Sequence, residues 1–138
     1  MSFVSVEPVV KSKKKKPVQT KDAPQAIGPY SQGICACGVV YLSGQIPLKP
    51  ETMELVKGAP EVQVRQSLEN LSAVAKAAGA SLADVVKLTV YLTDLSVFPV
   101  LNKVMGEFFV RPYPARVAIG VSELPRGAVV EVDAILVP

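Results

Sequence analysis

The sequence contains no histidine among its 138 residues. That removes the commonest general base, the usual zinc ligand and the acid–base pair of most metal-free ribonucleases. Cysteine is scarce: Cys35 and Cys37 are the only two. Their i, i+2 spacing places both on one side of a strand, where a disulfide would be strained. Two thiols without histidine make a poor zinc site, so both read as small core or interface residues of an intracellular, reduced protein. No run approaches 18 uninterrupted apolar residues, which argues against a membrane-spanning helix. Charge is also modest at 20%, and six of the 15 Lys and Arg residues fall within the first 22 positions.

What is present is apolar. Hydrophobic residues make up 49% of the chain, more surface than one small domain readily hides, and burial against partner subunits is the simplest cover. The length suits one domain. Residues 1–22 read as a disordered basic appendage, because the run Lys11–Lys16 is flanked by prolines and has no amphipathic period. It is a solvated tail or a non-specific, salt-sensitive nucleic-acid contact, and deleting residues 1–22 would separate an RNA effect from any activity of the body. The cytoplasm is the expected compartment. A mitochondrial presequence fits poorly but leaves that organelle open, since Arg is absent from the tail and its lysines are blocked together.

From residue 23 the pattern is strand, strand, helix, strand, helix, strand, strand. Strands are expected over 32–37 and 39–45, hinged at Gly38, with a short strand possible at 54–57. A helix is expected over 61–78, where Val64, Leu68, Leu71, Ala75 and Ala78 follow a 3.6-residue period between Pro60 and Gly79. Ser81–Asp84 reads as a capped turn, 85–93 as a long strand, and 97–110 as a second helix. That helix has Ser96 as its N-cap and a buried stripe of Phe98, Leu101, Met105 and Phe108. Asn102 sits off the stripe's centre, either solvated or hydrogen-bonded to a neighbouring site. Two helices cover one face of one sheet, so the fold class is α+β, a two-layer sandwich with a mixed sheet.

The last forty residues carry the chemistry. Pro114 to Asp133 contains two alternating segments around the turn Leu124-Pro-Arg-Gly127, read as an antiparallel hairpin whose valine-rich faces share the core. Arg116 and Glu131 then fall on the opposite face beside Ala118 and Gly120, whose side chains leave a hollow. Arg116 could instead be only an intersubunit salt-bridge partner of Glu131 or Asp133. Asp133 shares Glu131's face and is a competing carboxylate, read as a structural ion-pair candidate.

Seven landmarks occur in order: Ile27-Gly-Pro-Tyr-Ser-Gln32, Ser43-Gly-Gln-Ile-Pro47, Val86-Lys-Leu-Thr-Val-Tyr91, Phe98-Pro-Val-Leu-Asn102, Pro114-Ala-Arg116, Leu124-Pro125 and Val130-Glu-Val-Asp-Ala-Ile135. Together they resemble the RidA/YjgF/YER057c family of reactive-intermediate deaminases, also called the L-PSP endoribonuclease family. The resemblance begins near Ala23 and leaves the basic tail outside. It implies a chorismate-mutase-like homotrimer with a site in each intersubunit cleft, which hydrolyses 2-iminoacids and enamines to 2-oxoacids and ammonia without a cofactor or metal. Carried over by position, it makes Arg116 the carboxylate clamp, Glu131 the catalytic carboxylate and Tyr30 the site tyrosine. Ser43, Gly44, Asn102 and Ala118 line the pocket. Some bacterial members carry cysteine where this chain has Ala118, so thiol chemistry is not expected. The competing readings are an RNA-directed endoribonuclease or translation inhibitor, and a non-enzymatic carboxylate-ligand sensor or chaperone. The missing histidine and the lack of a dense basic, aromatic surface on the body weigh against the first.

Overall fold

The computed structural model describes residues 14–138. Six strands form one sheet: β1 (Lys16–Val18), β2 (Gly33–Ala36), β3 (Val39–Gln45), β4 (Val85–Leu92), β5 (Ala115–Gly120) and β6 (Val130–Leu136). Two helices, α1 (Pro60–Ala77) and α2 (Phe98–Phe108), cross between strands. The strand order is β1-β2-β3-β6-β4-β5, antiparallel throughout except for β4 with β5. This is the expected α+β arrangement of one mixed sheet with two helices.

Alternation sets the core. On β4, Leu88, Val90 and Leu92 are fully buried, as are Val130, Val132 and Leu136 on β6. They meet Val64, Leu68, Leu71 and Val74 of α1 and Leu101 and Val104 of α2 in one cluster. Pro60 opens α1 without needing an N–H partner, and Gly79 takes φ +79 just past its end. The short segment Leu82–Asp84 is capped reciprocally by Ser81 and Asp84, as expected. The isolated bridge Leu48↔Leu55 stands in place of the short strand at 54–57.

Four expectations are corrected. First, β5 and β6 do not pair. β5 runs parallel to β4, and β4 lies between β5 and β6. The strand–helix–strand passage β4–α2–β5 is a crossover, which returns the chain parallel to where it left.

Second, β5 presents the other face to the core. Arg116 is opposite the buried Leu88 and Ala118 opposite the buried Val90, so both lie on the helix side. Val117 and Ile119 lie on the open side with 38% and 41% of their surface exposed. They share that side with Thr89 and Tyr91 of β4 and with Glu131, Asp133 and Ile135 of β6. Apolar alternation marked the two faces of β5 without saying which one the helices cover.

Third, the folded body begins before residue 22. Lys16–Val18 pairs with Gly33–Cys35, and the side chain of Gln32, only 3% exposed, fastens residues 20–24. Its Oε1 accepts from the Thr20 N–H at 2.7 Å, and its Nε2 donates to Pro24 O at 2.7 Å and Thr20 O at 3.1 Å. The first half of the lysine run, Lys11 to Lys13, lies outside the described residues.

Fourth, two local details change. Asp94 rather than Ser96 supplies the capping oxygen ahead of α2, accepting from the Ser96 N–H at 2.9 Å. Cys37 has left the strand. With φ +52, followed by Gly38 at φ +74, it forms the two-residue turn between β2 and β3 and is exposed, as a hairpin with left-handed central residues requires. Cys35 packs against the core.

Candidate functional site

Tyr30, Ser43, Gly44 and Glu131 come together. They line a cavity of about 550 Å3 with Pro24, Gln25, Ile27, Gln45, Ile46, Leu48, Met53, Pro125 and Arg126. Three segments build it. The arm from Pro24 to Tyr30 is set by the Gln32 fastening and by the tight turn in which the Tyr30 N–H donates to Gly28 O at 2.8 Å. Ser43 and Gly44 sit where the β3–β6 register slips between Leu42 and Gln45. Ser43 Oγ donates to Ser31 O, joining strand to arm. Gly44 is required by space: a Cβ there would collide with the Glu131 carboxylate.

Among the described residues, Glu131 is the only carboxylate that lines the cavity. Burial, and secondarily the Asp133 carboxylate, push its pKa above the ordinary glutamate value. Asp133 lies on the same face of β6 and accepts a hydrogen bond from the Tyr91 hydroxyl at 2.9 Å. Its partner is therefore a phenol rather than a cation. That bond, burial and the neighbouring charges raise the Tyr91 pKa.

A carboxyl whose pKa is higher folded than unfolded favours the fold at low pH, and that contribution is lost as pH rises through the folded-state pKa. Asp133→Asn removes one of the two causes, so Glu131 should ionise at lower pH and the acid-side stability advantage should shrink. A carboxyl carbon NMR titration of Glu131 checks this. A pKa unchanged or raised in the variant contradicts it.

Arg116 and Asn102 lie elsewhere. Arg116 Nη1 donates to Asn102 Oδ1 at 2.7 Å and approaches Met105 Sδ at 3.4 Å. Its guanidinium stands 5.0 Å from the centre of the Phe98 ring, a cation–π distance. Asn102 is exposed and also accepts the Arg116 hydrogen bond. These residues border a separate, smaller hollow with Gly106, Tyr113 and Pro114. Ala118, two residues on, packs against the core rather than lining either hollow.

Arg116 and Glu131 lie on opposite faces of the sheet. They are two strands apart and offset by the three residues from Leu88 to Tyr91. At about 4.8 Å per strand and 3.3 Å per residue, their Cα atoms are on the order of 14 Å apart. Within one protomer they do not converge on a small molecule. Sequence reasoning read Arg126 only as part of a turn and assigned Met53 no role. Its one usable signal was the LPRG turn itself, whose left-handed geometry aims an arginine at the β3–β6 cavity.

Residues 20–137 match the family described as Endoribonuclease L-PSP. The chain belongs to the RidA/YjgF family. A family member from the mite Dermatophagoides farinae, named 2-iminobutanoate/2-iminopropanoate deaminase, is 45% identical over 123 residues, covering 89% of this chain and 96% of its own. The RidA crystal structure from an Antarctic Psychrobacter bacterium superposes with a TM-score of 0.86 at 50% identity, covering 89% of this chain and 99% of that one. Escherichia coli TdcF with bound serine has a TM-score of 0.85 at 41% identity, with 90% and 99% covered. Among the described residues of this RidA/YjgF chain, no helix is long and apolar enough to cross a membrane. None of its described His, Cys, Asp and Glu side chains form a group of three placed to hold a metal.

Proposed function

We propose that this chain hydrolyses 2-iminoacids and their enamines to 2-oxoacids and ammonia, as a homotrimer whose sites form between protomers. The observation that carries the reading is the split geometry. One face holds a buried carboxylate in a cavity, and the helix side of an edge strand holds a poised arginine. A ring of copies offers Arg116 of one protomer to the Glu131 cavity of the next. The exposed Tyr41, Val117 and Ile119 on the open sheet face are the surface such an assembly would cover. The naming of the mite relative supports the reaction class, and the serine bound to TdcF supports a small carboxylate ligand.

The chemistry follows from the groups. An iminoacid carries a carboxylate, which the planar guanidinium of Arg116 holds bidentately. Asn102 and the Phe98 ring fix that guanidinium beforehand. Glu131, ionised, takes a proton from a water as its oxygen bonds to the imine carbon. The same carboxyl, directly or through Tyr30, returns the proton to nitrogen, then moves the carbinolamine's hydroxyl proton to the amino group as the C–N bond breaks, leaving the 2-oxoacid and ammonia. A raised Glu131 pKa suits a group that must both accept and give back a proton. No resident cofactor is required by this sequence of steps, and the cytoplasm remains the expected compartment.

The test couples a pyridoxal-phosphate-dependent serine or threonine dehydratase to the protein and follows 2-oxoacid release. Wild type should accelerate release over buffer. No acceleration at any protein concentration would sink the enzyme reading and leave a carboxylate-binding module.

A further inference from the structure

Within one protomer, before a neighbour closes over it, the cavity is larger than the smallest substrate needs. Its volume of about 550 Å3 lies in the roughly 300–1,000 Å3 range that accommodates drug-sized ligands, whereas a three-carbon iminoacid has six heavy atoms. The surplus is apolar, because Ile27, Ile46, Leu48, Met53 and Pro125 contribute to the lining.

The far wall is held by a single link between two strained residues. Arg126 has φ +63 and Met53 φ +61, conformations that cost a side-chain-bearing residue about 1–2 kcal/mol each. Arg126 Nη2 donates to the Met53 carbonyl at 3.1 Å, joining the 124–127 turn to the 46–58 loop across 73 residues of sequence. That loop is anchored from behind. Asn70 of α1, 1% exposed, donates through Nδ2 to Leu48 O at 2.8 Å and Ile46 O at 3.3 Å. The Met53 N–H closes the loop on Lys49 O at 2.8 Å. Left-handed non-glycine residues cluster where surrounding structure over-determines them, commonly at ligand clamps. Here two such residues face one cavity and are bonded to each other.

We propose that the Arg126–Met53 wall is a specificity-determining element, selecting 2-iminoacids by their side chain and favouring apolar chains of about four carbons over a methyl group. This deepens the reaction proposed above and rests on it. Arg126 acts here as a strap, one Nη2–H donating to the Met53 carbonyl, and it is the apolar lining by Ile27, Ile46, Leu48 and Pro125 that disfavours an acidic side chain.

The test generates iminoacids in situ from alanine, leucine and glutamate with an amino-acid oxidase and compares kcat/KM. Wild type should favour the leucine-derived imine over the alanine-derived one by roughly tenfold or more, the discrimination a few methylenes can give. Met53→Phe, which narrows the cavity, should lower that ratio about tenfold. Arg126→Asn, which tolerates the left-handed turn but cannot reach Met53, should lower it as well. A ratio unchanged in both variants, equal losses on both substrates, or preference for the glutamate-derived imine would overturn the assignment. If wild type hydrolyses none of the three, the proposed reaction fails, and the wall is judged by calorimetric binding of 4-methyl-2-oxopentanoate against pyruvate. Tighter binding of the former, lost in Met53→Phe, supports the wall, and equal binding refutes it.

Discussion

Two inactive variants, Arg116→Ala and Glu131→Gln, should recover about a quarter of wild-type turnover when co-refolded in equal amounts. Each alone should lose on the order of a hundredfold or more, because under the proposed mechanism one lacks the carboxylate clamp and the other the proton-transferring group. In the proposed closed ring, each site draws its arginine from one copy and its glutamate from the next. Random assembly gives each partner an even chance of carrying the intact residue, and the product of the two chances is about one quarter. A site contained in one protomer would gain nothing from mixing. The expectation follows directly from Arg116 and Glu131 lying on opposite sheet faces with β4 between them. Absence of any recovery in well-mixed assemblies would place the whole reaction within one cavity.

Gly44→Ala should lower turnover on the order of a hundredfold while leaving the fold nearly as stable. The added methyl meets the Glu131 carboxylate and comes within 2.9 Å of Glu131 Cδ and 3.2 Å of Cγ. Those atoms belong to the free end of a flexible side chain, so the protein yields there instead of in the β3 backbone. The carboxylate moves, and a displacement of about 1 Å at a reacting group costs about a hundredfold in rate. Thermal unfolding and the dehydratase-coupled rate, measured on the same sample, separate the two effects. A rate close to wild type would show that the Glu131 carboxylate need not occupy the place that Gly44 leaves for it.

The secondary structure was largely legible because its signals are local. Pro60 and Gly79 bracket α1, Leu88 to Leu92 alternate, and Ser81 and Asp84 cap each other, whereas Val86, expected on the buried face, is exposed because the register shifts between Val85 and Lys87. The grouping of Tyr30, Ser43 and Gly44 with Glu131 was legible through recurring motifs rather than through spacing. The placement of β5 was not. Arg116-Val-Ala-Ile119 alternates between a face that packs on α2 and one that is apolar for another reason, and hydrophobicity cannot rank two apolar faces. The turn at Leu124–Gly127 strengthened the error, since proline and glycine mark a reversal without naming the strand that will pair after it. The rule that helices between strands make crossovers gives β5 the direction of β4 without naming its neighbour, since β3–α1–β4 is a crossover too and there β6 lies between the two strands. Arg126 and Met53 escaped because a left-handed backbone at a non-glycine residue leaves no mark in composition.

The short strand β1 guards one border of the sheet against pairing with another chain. It forms one outer border of the sheet, and its residues Lys16 and Pro17 are a charge and a residue without an N–H, both of which discourage another chain from pairing there. Shortening the chain by 22 residues would strip this guard and leave β2, Gly33–Ala36, as the new border. That segment carries no charge and no proline. A shortened protein that lost an RNA effect could have lost it by sticking to itself. Cutting ahead of Lys14 instead keeps the guard in place while removing Lys11 and Lys13.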